Sequence, residues 1–313
     1  MVTLAGSRRQ GLRPTKGPRP TRGIRPTRGQ RGFQVVNAVV LSLVVLVTVY
    51  PFVNILARSL SDETELIAGR VTIVPRGLDV TAYKLVMTDP TFWTNYRNTV
   101  FYTVTATLIS IVLTTCYAYV LSKHQLKGRA VLVGIALFTL FFTGGLIPNY
   151  VLVTSLGLKN SVWAIALPNA VNVFNLLVMK AYFETLPVEL EEAAAVDGLN
   201  TYGILLRIVL PLSKAIVATM VLFYAVSFWN SWFAAFLYMD RLDLFPVTVY
   251  LRNLIAGATG GEFAGTVAPS DMVQVDATIK SVTIVLTTLP ILLVYPFIQR
   301  YFVSGVVLGA VKG

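Results

Sequence analysis

The chain has 313 residues, 55% of them hydrophobic and only 13% charged, with a mean hydropathy of +0.68. A water-soluble domain carries about twice that charged fraction, so the composition excludes an ordinary soluble protein and predicts an integral membrane protein. The net charge is +11, yet nine of the basic side chains fall in residues 1–33 with no acid among them, so the body of the chain is close to neutral.

The first stretch, residues 1–32, contains RPTKG from Arg13 and RPTRG from Arg19 and again from Arg25. Arg, Pro and Gly at this density cannot bury enough apolar surface to fold, so a disordered tail is expected. Charge of this kind suits either an acidic partner such as a nucleic acid or the anionic headgroups of a membrane. The reading taken is a basic cytoplasmic tail against membrane lipid, with no nucleic acid expected. It is too long for the n-region of a signal peptide, and the apolar run after it has no small-residue cleavage site.

Six apolar stretches follow, at about residues 33–57, 98–121, 130–150, 161–182, 215–239 and 281–302. About 20 apolar residues cross the hydrocarbon core, and in lipid each crossing must satisfy its own backbone, which predicts helices. The third stretch runs through a Gly-Gly-Leu-Ile-Pro break, and Lys180 is placed to snorkel at the end of the fourth. The one cysteine, Cys116, lies in the second stretch and is read as a packing residue, since no disulfide or Cys/His metal spacing is possible. With an even number of spans both termini share a side. That side carries seventeen of the Lys and Arg residues against nine on the other, a difference owed to the tail, so both termini are expected in the cytoplasm. Two loops, at about 58–97 and 240–280, then face outward; the second includes a Gly-rich stretch at 256–265.

Between the fourth and fifth spans lies the acidic, alanine-rich segment 183–213, which contains EEAAAVDGLNTYGILLRIVLPL from Glu191 to Leu212. Pro187 suits the first turn of a helix, and Glu189, Glu191 and Glu192 suit the positive end of its dipole. Gly198 can end that helix in the left-handed conformation, Asn200 can cap a second one, and Pro211 closes it. Two short helices joined by a tight turn, on the aqueous side, make a docking element.

No catalytic constellation is present. His124 is the one histidine and lies in a short loop beside Lys123 and Lys127; no G-x-x-x-x-G-K-[ST] phosphate loop occurs. The spans contain no carboxylate, unlike ion-coupled carriers, which place such groups near the midplane. Asn169, Asn172 and Asn175 recur every three positions in the fourth span and would share an arc of roughly 120° on a helix. Ser227, Trp229 and Asn230 cluster in the fifth with Ser231 and Trp232. Amides and aromatic rings suit a sugar path; they also suit interhelical hydrogen bonding, and both readings stand.

Glu192-Ala193-Ala194, Asp197-Gly198, Ile208 and Leu210-Pro211 together resemble the "EAA…DG…I-LP" signature of ABC-importer permease subunits. Gly144-Gly145-Leu146-Ile147-Pro148, Leu156-Gly157-Leu158 and Trp229-Asn230 resemble the carbohydrate-importer permeases of the MalG type. The ending Gln299-Arg300-Tyr301-Phe302, Gly305, Gly309 and Lys312-Gly313 resembles the LplC-like branch, associated with complex oligosaccharides. Leu199-Asn200 stands where Ala-Ser is common in that family, and the long basic tail is a further departure.

The resemblance implies an all-α integral membrane protein, a six-helix transmembrane permease bundle with a cytoplasmic coupling helix pair. It implies a multi-pass subunit of the bacterial cytoplasmic membrane that moves a carbohydrate, an oligosaccharide, by alternating access. The chain itself would be no enzyme and hold no cofactor, ATP being bound by a partner subunit. The implied partners are a cytoplasmic ABC ATPase dimer, a second homologous permease, an extracellular solute-binding protein and the sugar. Glu192, Ala193, Ala194, Asp197 and Gly198, with Pro211 ending the element, would form the ATPase-coupling contact, and the C-terminal tail would approach the ATPase pair. A membrane scaffold, or a passive channel without ATP coupling, is the alternative.

Overall fold

The structure, a computed structural model, describes residues 28–258 and 277–310. Most of the expected basic tail, much of the Gly-rich stretch and the last three residues lie outside the described residues. Among those described, the regular elements are helical, and β pairing is confined to an isolated antiparallel bridge between Ser61 and Leu78. The chain divides into two units, residues 1–51 and 52–313.

The first unit holds most of helix α1 (Arg28–Ser59), which is apolar from Phe33 to Ala57; its described side chains within that unit are exposed, whereas Ala57 and Ser59 near its end are buried. A helix apolar on all sides suits lipid rather than water. One hydroxyl in its middle is satisfied internally: Thr48 Oγ1 donates to the Val44 carbonyl at 2.7 Å.

The second unit opens with two short helices, α2 (Glu63–Ile67) and α3 (Thr81–Thr88). Asp62 caps α2 by accepting from the Thr64 N–H. The long helix α4 (Pro90–Ser122) starts well before the apolar run at 98, because Asp89 caps it and Pro90 takes its first position. Its buried face carries Asn95, Thr99, Thr103, Thr107, Ser110 and Thr114, spaced three or four apart and hence on one side. The opposite face carries Val100, Val104, Leu108 and Val112, all exposed. Small polar residues inside and aliphatic residues outside are the arrangement expected in lipid, where close helix approach rather than water exclusion drives packing. Cys116 continues the outer row and is exposed, so it is not the packing residue expected. Helix α4 packs against several later helices, described next, and forms the centre of this unit.

The third apolar stretch is two helices, α5 (Arg129–Phe141) and α6 (Leu146–Ser155), bent by 113°. The break falls at Gly144-Gly145, where Gly145 takes φ +85°, a conformation open to glycine at little cost. The fourth stretch is not one helix either: α7 (Val162–Ala166) stops before Pro168, and α8 (Val173–Phe183) starts afresh after Asn172. Pro168 cannot donate to the preceding turn and so interrupts the ladder.

The segment between spans forms α9 (Val188–Val196), α10 (Thr201–Ile204), a π turn (Leu205–Val209) and α11 (Leu210–Leu212). An 87° bend leads from this run into α12 (Lys214–Trp229). The fifth stretch ends early, at Trp229, and resumes as α13 (Phe233–Tyr238). Next come a 3-10 turn (Leu242–Leu244), α14 (Val247–Ala258) and, beyond the undescribed residues, α15 (Ala277–Ala310). The helices that pack most extensively on α4 are α7, α8, α12 and α14. By length and composition three helices of the described chain can cross a membrane, or up to five if each bent pair is one span.

Candidate functional site

The segment 188–212 folds through local signals. Pro187 stands at the N-cap of α9, one place before the first turn expected for it. Gly198 takes φ +85°, and beyond it the Gly198 and Leu199 N–H groups bond the carbonyls of Ala195 and Ala194, both at 3.0 Å. A Cβ at Gly198 would meet nothing within 4 Å, so the backbone conformation alone calls for glycine here. Asn200 Oδ1 accepts from the Gly203 N–H at 2.8 Å and caps α10. Pro211 does not close that helix. It lies in α11, after the π turn in which the Leu210 N–H reaches back to the Leu205 carbonyl. The wider turn accommodates a ring that carries no N–H, and the run ends at Ser213.

One side of this element is buried. Ala194, Ile204, Leu205 and Val209 join Phe183 and Met220 in a single apolar cluster. The other side is open: Glu192, Ala193, Asp197 and Gly198 are exposed, Val196 is 88% exposed and Tyr202 76%. The result is a slim, mixed acidic and apolar surface carried on a rigid base.

Contacts not foreseen from the sequence hold that base. Tyr119 Oη, near the end of α4, donates to Glu191 Oε2 at 3.2 Å, and Lys123 pairs with the same oxygen. The Lys123 ammonium also sits 4.1 Å from the centroid of the Tyr119 ring. Arg129 pairs with Glu184 and donates from Nε to the Leu121 carbonyl at 2.7 Å. Lys180 does not snorkel; it completes this network at 2.9 Å from Glu184. Glu191 faces inward because it lies three residues before the buried Ala194, on the same side of α9. That spacing was the signal available in the sequence. Glu192, one position on, points outward.

A second feature lies where the fourth apolar stretch breaks. A cavity of about 310 Å³ is lined by Asn169, Asn172, Asn175, Phe223, Tyr224 and Ser227, among others. The three asparagines converge here, but not along a helical arc. Asn169 follows Pro168 in the break, Asn172 caps α8 through its Oδ1 and the Asn175 N–H at 3.0 Å, and only Asn175 lies within a helix. Tyr224 Oη accepts from the Asn172 N–H at 2.9 Å and bonds Thr114 Oγ1 at 2.7 Å, which ties α12 to both α4 and the cap of α8. None of the lining side chains is ionisable apart from the Tyr224 phenol. Trp229 and Asn230 take no part: Trp229 Nε1 donates to the Thr287 carbonyl at 3.1 Å, and Asn230 Nδ2 donates to the Val226 carbonyl of its own helix at 2.8 Å. Among the described residues no group of His, Cys, Asp and Glu could hold a metal ion.

Apolar helices around an uncharged cavity of amides and rings, with an exposed acidic helix pair fastened to the central helix, define a membrane permease subunit. No family model matches the chain. It is 41% identical over 287 residues to protein LplC of Bacillus subtilis (strain 168), covering 90% of this chain and 96% of that one. It is 39% identical over 268 residues to the polygalacturonan/rhamnogalacturonan transport system permease protein YtcP of the same organism, covering 86% and 94%. Among solved structures it resembles a chain of a bacterial ABC transporter involved in the import of the acidic polysaccharide alginate, with a TM-score of 0.79 and 36% identity over 88% of this chain and 98% of that one. The chain belongs to the family of permease subunits of ABC carbohydrate importers. It is an integral protein of the bacterial membrane and not an enzyme; in such importers separate ATPase subunits hydrolyse ATP, and solute-binding partners deliver the cargo.

Proposed function

We propose that this chain carries an acidic oligosaccharide across the cytoplasmic membrane as one of two homologous permeases on a cytoplasmic ATPase dimer. Six crossings are assigned: α1, α4, the bent α5–α6 pair, the broken α7–α8 pair, α12 with α13, and α15, with both termini in the cytoplasm. The segment 188–212 lies on the same side and docks on the ATPase through Glu192, Ala193, Asp197 and Gly198; Ala194, expected in that contact, is buried and seats the segment on the bundle instead. Closure of the ATPases on ATP moves this element, and the bundle alternates between outward- and inward-open states. The cavity beside Asn169, Asn172, Asn175 and Ser227 takes the sugar hydroxyls, and an extracellular binding protein delivers the cargo. The acidic class is suggested by YtcP, named for polymers of galacturonate, and by the alginate importer.

The observation that carries this reading is the exposed face of α9 on a base bonded to α4, which gives a partner both a surface to grip and a route into the bundle. The test is purification of the tagged chain, followed by uptake of labelled oligogalacturonate into proteoliposomes with and without internal ATP. ATPase subunits are expected to accompany the chain, and uptake is expected to require ATP. Uptake without ATP would mean a passive channel; partners without uptake of any saccharide would mean a scaffold.

A further inference from the structure

Far along α4 from the Glu191 anchor there is a second cavity. It measures about 390 Å³ and is lined by Arg97, Asn98, Phe101, Tyr102, Asn160 and Ser161, among others. Arg97 and Lys123 are separated by about 39 Å of helix at 1.5 Å per residue. With the coupling segment in the cytoplasm, this cavity opens at the outer end of the bundle, where cargo arrives.

Most of its polar wall is already engaged. Asn98 Nδ2 donates to the carbonyls of Asp243 and Phe245 at 2.7 and 3.2 Å. Tyr102 Oη donates to the Leu244 carbonyl at 2.9 Å. Asn160 Oδ1 accepts from the Asp240 N–H at 2.7 Å, and Ser161 Oγ donates to the Leu158 carbonyl at 2.6 Å. These bonds fix the wall and leave it few donors. Two nearby cations are matched: Lys159 pairs with Asp240 at 2.9 Å and Arg241 with Asp243 at 2.6 Å. The Arg97 side chain differs, having no hydrogen-bond or ion-pair partner among the described residues although it lines the cavity. Arg97 is exposed and stands at the edge of the apolar run, where a long cationic side chain reaches water. Phe101 lies four residues on, on the same face of α4, and its ring is 54% exposed.

A free guanidinium fork and an open ring, one helical turn apart in one cavity, match a particular ligand. The fork takes a carboxylate through two parallel hydrogen bonds, and the ring covers the C–H face of a pyranose. A uronic acid presents both groups on one sugar unit. We propose that Arg97 and Phe101 form an outer subsite for a uronate residue, with Arg97 setting the preference for acidic over neutral saccharide. The proposal rests on the reading of the chain as a saccharide permease.

The test uses the assembled importer with its binding protein in proteoliposomes and two probes: tetragalacturonate and its carboxyl-reduced counterpart, a neutral galactose tetramer. Wild type is expected to import the acidic probe with the higher kcat/KM. Arg97→Gln is expected to lower uptake of the acidic probe by roughly 10- to 100-fold, the effect of losing a charge-assisted hydrogen-bonded pair, and to leave the neutral probe within about twofold. Arg97→Lys should recover part of the loss, and Phe101→Leu should weaken both probes. Equal loss of both probes in Arg97→Gln would overturn the subsite and assign Arg97 to docking of the binding protein. Equal import of both probes by wild type, or an unchanged preference in Arg97→Gln, would overturn it too. Import of neither probe by wild type would instead remove the saccharide reading on which the subsite rests.

Discussion

Glu191→Ala loosens the segment 188–212 from α4. The variant removes the acceptor of the Tyr119 hydroxyl, bonded at 3.2 Å, and the partner of Lys123. The Glu191 side chain is 17% exposed and that of Lys123 36%, so the pair is neither a surface bridge worth about 0–1 kcal/mol nor a fully buried one whose breakage costs about 3–5 kcal/mol. A loss of about 1.5–3 kcal/mol in the contact between α9 and α4 follows from hydrogen bonds to a charged group. That loss shifts the balance between fastened and loose α9 by roughly 10- to 150-fold. The apolar cluster around Ala194 and Val209 still seats the segment, and Glu192 still faces outward, so the ATPase should bind as before. What falls is the work transmitted. Hydrolysis and uptake measured in the same proteoliposomes should show a several-fold drop in sugar moved per ATP, with assembly unchanged. Glu191→Gln, which keeps the Tyr119 bond, should fall between the two. An unchanged transport-to-hydrolysis ratio in Glu191→Ala would refute the idea that this contact carries the stroke.

Gly198→Pro places a ring where φ is +85° and removes the N–H bonded to Ala195; it should abolish ATP-coupled uptake while leaving the protein in the membrane, as read by fractionation and transport. Asn172→Ala removes the cap of α8, at a cost of about 1 kcal/mol, and one amide of the cavity; it should raise KM for the saccharide and lower Tm slightly. Trp229→Phe loses the bond to Thr287 and part of the edge contact with Tyr96 at 5.8 Å. Because Trp229 lines no part of the asparagine cavity, this variant should lower Tm and leave KM unchanged, which a thermal-shift assay alongside uptake would check.

Features governed by short-range chemistry were legible in the sequence. Gly198 and Asn200 act on their immediate neighbours, so an acidic alanine-rich run followed by Asp-Gly-Leu-Asn already specified the turn and the cap. Long uncharged runs specified α1, α4 and α15, because covering the hydrocarbon core needs about 20 apolar residues. The fourth and fifth stretches were less legible. Apolar composition gives the location of a crossing without its continuity, and Pro168 and the Asn230-Ser231 pair interrupt what hydropathy alone joins. The cavity residues were found for a partly mistaken reason: Asn169, Asn172 and Asn175 do meet, but through a cap and a break rather than a helical arc. Tyr119 and Glu191 are 72 positions apart, and no local pattern announces a bond at that separation. Trp229 and Asn230 looked like path residues because they are polar and adjacent to Ser227. The helix turns by 100° per residue, so neighbours in sequence face different partners.

The claim that a membrane body without carboxylates in its spans is driven through residues 188–212 is tested most directly at Val196, the most exposed apolar side chain of α9 at 88%. Val196→Cys in a Cys116→Ser background, carrying a short photo-cross-linker in the assembled transporter, should give a covalent adduct with the ATPase subunit, and its yield should change when ATP is trapped. Labelling of the introduced thiol by a membrane-impermeant reagent from outside intact cells, with no ATPase adduct, would contradict the account.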